Sequence, residues 1–250
     1  MGQGPRGPRR ERAGGQTRRA GAQEAAGRVS VSWEDPWPEP LREAAPYRGR
    51  TLTDLAADVD ALLAACGRTV IREHVPRVAG EAAALARRFG VDPGAAQTAA
   101  LLHNLGGIVP REAMVPLSER LGLPVCPEER RVPLLLHAGL SVVIARRRYG
   151  VHDPAVLQAI RVHTTLHAQP TPLDLTVFLA DKLEWDQGGV PPYGAELRRA
   201  LDGGGLRAGA RWMLAWMASP GARLLIPHPD LRAAWAAFDI QSPTSTPGEA

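Results

Sequence analysis

The chain is 250 residues long, 44% hydrophobic and 22% charged, with a formal net charge of +4. That length can bury one large core or two small ones, and the composition is that of a soluble globular protein. No stretch approaches the roughly 20 apolar residues of a membrane span, and the start lacks the apolar run of a secretory signal. The two cysteines, Cys66 and Cys126, have no CxxC spacing, which excludes a zinc ribbon and a disulfide framework. The expectation is a cytoplasmic protein with both thiols reduced, in or near the core.

The charge is uneven. Residues 1–30 hold seven arginines and two acids, a net of +5, which leaves about −1 for the remainder. The folded part is therefore not basic, and nucleic acid is not an expected partner. With almost no large apolar side chain, this segment cannot offset its ordering entropy and is expected to be disordered. It reads as a solvated tail or a start assigned too early, as a basic arm, or as a transit peptide. Four prolines in residues 31–50 mark a linker, in which Trp33 or Trp37 could dock on the domain.

A helical bundle is expected over residues 51–240. Leu52, Leu55, Val59, Leu62 and Leu63 form one apolar helix face. Val70, His74, Val78, Ala82 and Leu85 form a second, ending at Gly90. Pro76 suits a first helical turn, which puts His74 at the mouth of that helix. Asp92-Pro93 opens a third helix, with Asp as N-cap and Pro at the first position, running to His103-Asn104 and stopped by Gly106-Gly107. A loop or short helix spans Pro110 to Pro127. A fourth helix runs from about Val132 to Tyr149, a fifth from Asp153-Pro154 to His163, a sixth from Pro172 through Leu183, and a seventh from about Leu206 to Met217. The tail from Gln241 is expected to fray. No segment reads as a strand, so the fold class is all-α.

Four histidines lie at helix ends or on apolar faces: His74, His103, His137 and His163. Asp181 sits in the apolar run VFLADKL, where a carboxylate needs a partner or a metal. One such residue on each of five successive helices could converge in a bundle interior. Imidazole and carboxylate suit iron, zinc or manganese. His152 and His228 read as surface residues, Trp212 and Trp216 as core or an oligomer contact, and Arg146-Arg147-Arg148 as a solvated helix end.

The order and flanks of these residues are EHVPRV, AALLHN, LLLHAGLSVVIA, AIRVHTT and FLADKLE. They resemble the HD-domain phosphohydrolases, and among them the YqeK family of symmetrical dinucleoside tetraphosphate hydrolases. The resemblance runs from about Leu52 to Trp216. It implies an all-α HD-domain bundle with a divalent-metal centre, usually di-iron, that cleaves diadenosine tetraphosphate to two ADP. Carried over, His74, His103 and Asp181 would hold one ion and His137 and His163 a second, with Asn104 in the position of the bridging aspartate. Asn104 and Asp181 would be the catalytic pair, and Arg161, His167 and Lys182 would meet the substrate phosphates.

The chain departs from that pattern. Asparagine is neutral, and its single carbonyl oxygen cannot replace two carboxylate oxygens between cations. Asn104 is also the only asparagine in the chain. Three cationic positions of the family read Gly107, Leu166-His167 and Gln187. His167 could supply a partial cation below neutral pH. Two functions therefore remain open. One is a hydrolase of reduced or redirected activity with one or two ions. The other is an inactive HD-domain protein that senses or binds a metal or nucleotide. A homo-oligomer is compatible with either.

Overall fold

The computed structural model describes residues 1–2 and 37–241 except 188 and 223. The expectations for the arginine-rich segment, Trp33 and the tail beyond Gln241 therefore fall outside the described residues. The chain divides into two units, Met1–Ser30 and Val31–Ala250. Of the first, only residues 1–2 are described. The described residues of the second contain eleven α-helices and no strand: α1 (Glu39–Glu43), α2 (Leu52–Ala65), α3 (Thr69–Phe89), α4 (Pro93–Leu102), α5 (Arg111–Arg120), α6 (Pro127–Arg131), α7 (His137–Arg147), α8 (Pro154–Val162), α9 (Pro172–Leu183), α10 (Gly194–Met217) and α11 (Pro229–Ala237). None of them is long and apolar enough to cross a membrane.

Local chemistry explains most helix starts. Asp92 and Asp153 accept backbone N–H groups of the first turns of α4 and α8, and Pro follows each at the position where a missing N–H costs nothing. Thr171 and Asp174 form a reciprocal capping box on α9, as Thr51 and Asp54 do on α2. Helix α9 is the centre of the bundle. Val177, Phe178, Leu179 and Ala180 are fully buried there, between α3, α8 and α10.

Several expectations change. Pro76 lies inside α3, so His74 sits in the second turn and not at the helix mouth. Tertiary packing outweighs the lost hydrogen bond, since Val75, Val78 and Ala79 flank the proline and are buried. The fourth expected helix begins at His137, because Pro133 opens a separate 3₁₀ turn, Pro133–Leu136. Helicity before Leu206 was not expected, yet α10 starts at Gly194 and bends at Gly205, whose φ of 72° and ψ of −166° only glycine adopts readily. The proline-rich stretch carries α1, which was not expected, and docks Trp37 in the core as expected, with Leu41 buried beside it. Helix α11 was not anticipated, although Trp235 is fully buried and its indole N–H donates to the Leu214 carbonyl. Arg148 is not solvated. Its side chain is 6% exposed and grips Asp58 through two nitrogens, while Tyr149 donates to the same carboxylate.

Candidate metal centre

Three of the four histidines are positioned by one device. His103 and His163 cap the C-terminal ends of α4 and α8, where helix carbonyls have no backbone partner. Each turns its Nδ1–H back to the carbonyl three residues earlier, Ala100 at 2.6 Å and Ile160 at 2.8 Å. His137, at the start of α7, does the same with Leu134 at 2.6 Å. A carbonyl can only accept, so these bonds assign the ring proton to Nδ1 and leave an Nε2 lone pair aimed at the interior.

Those lone pairs converge. His137 Nε2 and His163 Nε2 are 3.0 Å apart, and the Thr164 hydroxyl lies 3.0 Å from the latter. His103 Nε2 is 3.4 Å from Asp181 Oδ1, and His74 Nε2 is 3.0 Å from the same oxygen. His103 Nε2 and His74 Nδ1 are buried with no hydrogen-bond partner. Imidazole rings follow one another from His74 to His103, His163 and His137, tilted or T-shaped, with centroids 4.7 to 5.4 Å apart.

Burial favours neutral rings at His137 and His163, beside one anion at Asp181. Burial and then the neighbouring imidazole of His103 hold His163 well below the ordinary histidine range. Burial also lowers His137 to about 4, against the opposing bond from Leu134. His137 retains some exposed surface, but it sits at the base of a cleft dense with protein atoms. Burial would raise the Asp181 carboxyl, but Lys182 and the two imidazoles outweigh it and hold the group well below its usual value. Lys182 Nζ lies 2.5 Å from Asp181 Oδ2, which leaves Oδ1 to face His74 and His103.

Facing acceptor lone pairs and orphaned buried nitrogens repel unless a cation joins them. This donor set therefore fits a divalent transition ion. The fit is better in one half. The donor atoms of His74, His103 and Asp181 all lie within 4.8 Å of one another. The His137–His163 pair shares the cleft with Asn104, whose carboxamide carries no charge.

The cleft over these residues holds about 260 Å³ and is lined by Asn104, Lys182, Trp185, Asp186 and Tyr193 besides the ligand candidates. Tyr193 donates to the Lys182 carbonyl at 3.1 Å and steadies that turn. Thr164 stands in the quoted AIRVHTT stretch and was legible there. Trp185 and Asp186 stand in the stretch Glu184–Gln187 that departs from the family pattern after Asp181, and Tyr193 belongs to no pattern. Two expected phosphate contacts are not brought to the cleft. Arg161 is 49% exposed, pairs with Asp230 at 3.0 Å and borders a separate cavity. His167 turns to the buried Asp174 at 3.2 Å.

An HD domain model matches residues 71–186. An uncharacterised protein of the pepC 5′ region of Lactococcus lactis subsp. cremoris is 37% identical over 131 residues, 52% of this chain and 66% of that protein. The symmetrical bis(5′-nucleosyl)-tetraphosphatase of Bacillus subtilis is 32% identical over 111 residues, 44% of this chain and 59% of that enzyme. The chain thus spans less than two thirds of the length of these relatives. A solved structure from Clostridium acetobutylicum, described as a predicted HD superfamily hydrolase involved in NAD metabolism, aligns with a TM-score of 0.65 at 24% identity. That alignment covers 76% of this chain and 98% of the other, and it shows a shared fold.

Proposed function

We propose that this chain, which carries an HD domain and belongs to the HD-domain proteins, is a metal-dependent phosphohydrolase of nucleotide polyphosphates. Symmetrical dinucleoside tetraphosphates, cleaved to two nucleoside diphosphates, are the preferred substrate class. The observation that carries this reading is the convergence of His103, His137 and His163 Nε2 lone pairs with His74 on a cleft holding one carboxylate, Asp181. The names of the Bacillus relative and of a similar enzyme from Halalkalibacterium halodurans, 33% identical over 112 residues, support the substrate class.

In this reading His74, His103 and Asp181 hold one ion, and His137 and His163 form a second position with Asn104. When bound, a divalent transition ion, iron by family resemblance, would supply Lewis acidity for a phosphoryl oxygen and for a water. The chain's own groups do the rest. The three Nδ1–H bonds keep the rings oriented with Nε2 free, and burial keeps His137 and His163 neutral, so neither of these two must shed a proton to act as a ligand. Lys182 lines the cleft, and its ammonium, paired with Asp181 through one N–H, retains two further donors for an anionic phosphate chain. Trp185 and Tyr193 form the wall of the cleft and narrow water access.

Asn104 favours a second reading, an inactive HD-domain protein that binds metal or nucleotide. The deciding experiment is hydrolysis of diadenosine tetraphosphate by iron- or manganese-loaded protein, wild type beside Asn104→Asp. ADP from the wild type supports the hydrolase. Turnover only in Asn104→Asp marks a centre silenced at one residue. No turnover in either, with metal bound, favours the binding protein.

A further inference from the structure

A second group of ligand-type side chains lies away from the cleft and plays no part in the chemistry above. Cys126, Glu129 and His228 come from segments about a hundred residues apart, yet their sulfur, oxygen and nitrogen donors all lie within 4.8 Å of one another. Cys126 precedes α6, and its backbone N–H donates to Glu129 Oε2 at 2.8 Å, which holds the carboxylate beside the thiol. His228 precedes α11 and accepts the Asp230 N–H at Nδ1, 3.1 Å away. The nearby charges are otherwise paired: Glu128 with Arg232, and Asp230 with Arg161. Glu129 is only 15% exposed at its side chain, and no arginine or lysine among the described residues pairs with it.

The Cys126–His228 separation fits a weak hydrogen bond to sulfur, whereas the His228–Glu129 separation is wide for one to oxygen. His228 Nε2 is 3.6 Å from Glu129 Oε1 and 3.7 Å from Cys126 Sγ. A good N–H···O bond is about 2.7–3.2 Å. Donor atoms around a tetrahedral zinc, with bonds of about 2.0–2.3 Å, stand about 3.4–3.6 Å apart. Burial, reinforced by the Glu129 carboxylate, pushes the Cys126 thiol up, so without an ion it stays protonated.

We propose that Cys126, Glu129 and His228 form a zinc site, distinct from the histidine–aspartate centre, that staples α11 to α6. The sulfur donor selects zinc over iron(II) and manganese, and solvent completes the tetrahedron. Binding releases the thiol proton to solvent and moves the ring proton from Nε2 to Nδ1, which ends the bond that Nδ1 accepts from the Asp230 N–H and returns that N–H to solvent. Beside Nδ1, Asp230 Oδ2, 3.9 Å away, stands as the outer carboxylate that zinc-bound imidazoles commonly have. Helix α6 leads directly into the Pro133–Leu136 turn, whose Leu134 carbonyl orients His137. The staple therefore also fixes one edge of the cleft.

The test uses the full chain and cobalt(II) as a spectroscopic stand-in for zinc. A thiolate-to-cobalt charge-transfer band is expected in the wild type, because the histidine–aspartate centre has no sulfur to give one. The band should persist in Cys66→Ser and vanish in Cys126→Ser and His228→Ala, with zinc content falling by one equivalent in the latter two. Should those variants misfold, the wild type still decides. Zinc should slow alkylation of Cys126 at least tenfold and leave Cys66 unchanged. Absence of the band, its survival in Cys126→Ser, or alkylation of Cys126 unaffected by zinc would overturn the proposal and leave a hydrogen-bonded thiol, imidazole and carboxylate.

Discussion

The two halves of the candidate centre are built alike and charged differently. His103 in one half and His137 and His163 in the other use the same bond to the carbonyl three residues back. One half has Asp181, whose Oδ1 faces two imidazoles. The other has Asn104, a carboxamide in the same cleft. The geometry of ligand atoms and the charge that makes them worth an ion's desolvation are therefore separable. A neutral side chain at this position lacks the second and leaves the first standing.

Asp181→Ala should have the largest effect. It removes the only carboxylate among the five ligand candidates, and iron(II) or manganese retained after desalting should fall at least about 100-fold, beyond the 10–100-fold typical of outer-sphere losses. Retention of a full equivalent would show that the imidazoles alone suffice and would collapse the distinction between the halves. Asn104→Asp runs the comparison the other way. Affinity for a second equivalent, read by calorimetry, should rise about tenfold or more, roughly 1.4 kcal/mol. An unchanged second binding constant would mean that charge at this position does not separate the halves.

Gly106→Ala tests the link between them. A Cβ there would lie 2.0 Å from the His137 carbonyl oxygen, which is backbone and cannot turn aside. The expected cost is about 1–3 kcal/mol, a fall of several degrees in Tm for a chain of this size. Smaller is the pH effect on metal-free protein. The folded His137 titrates at about 4, below its usual 6.5. The unfolded chain therefore takes up the proton first. Stability is fully present above about pH 6.5 and drains away as pH falls toward 4. Thermal melts should show that decline in the wild type and a weaker one in His137→Gln. Smallest is Arg161→Ala. Its half-exposed pair with Asp230 lies outside the cleft, so KM for diadenosine tetraphosphate should move less than about twofold.

What the sequence made legible was local. Asp92-Pro93, Asp153-Pro154 and Thr171-Pro172 announce helices because cap and helix lie within four residues. The ligand candidates were legible because each sits beside such a helix end or inside an apolar run. What stayed hidden depends on facing. Arg161 stands two residues before His163, about 200° around α8, so the face that delivers the imidazole turns the guanidinium away. Leu166 adopts φ of 54°, and the chain reverses and sends His167 to Asp174. Helix α11 and the Cys126–His228 approach depend on contacts spanning about a hundred residues, which no window along the chain reveals.

The contact between Gly106 and the His137 carbonyl also bears on how an ion would arrive. The turn that carries Asn104 lies against the start of α7, and Ser141 fastens it further by accepting the Gly106 N–H at 2.8 Å. Asn104 and His137 therefore form one rigid seam instead of two loops that a cation must gather. Little conformational entropy remains to be lost on uptake, so binding at this wall should be quick, should barely alter amide exchange along 104–108, and should report the ligands' intrinsic affinity with almost no folding cost mixed in.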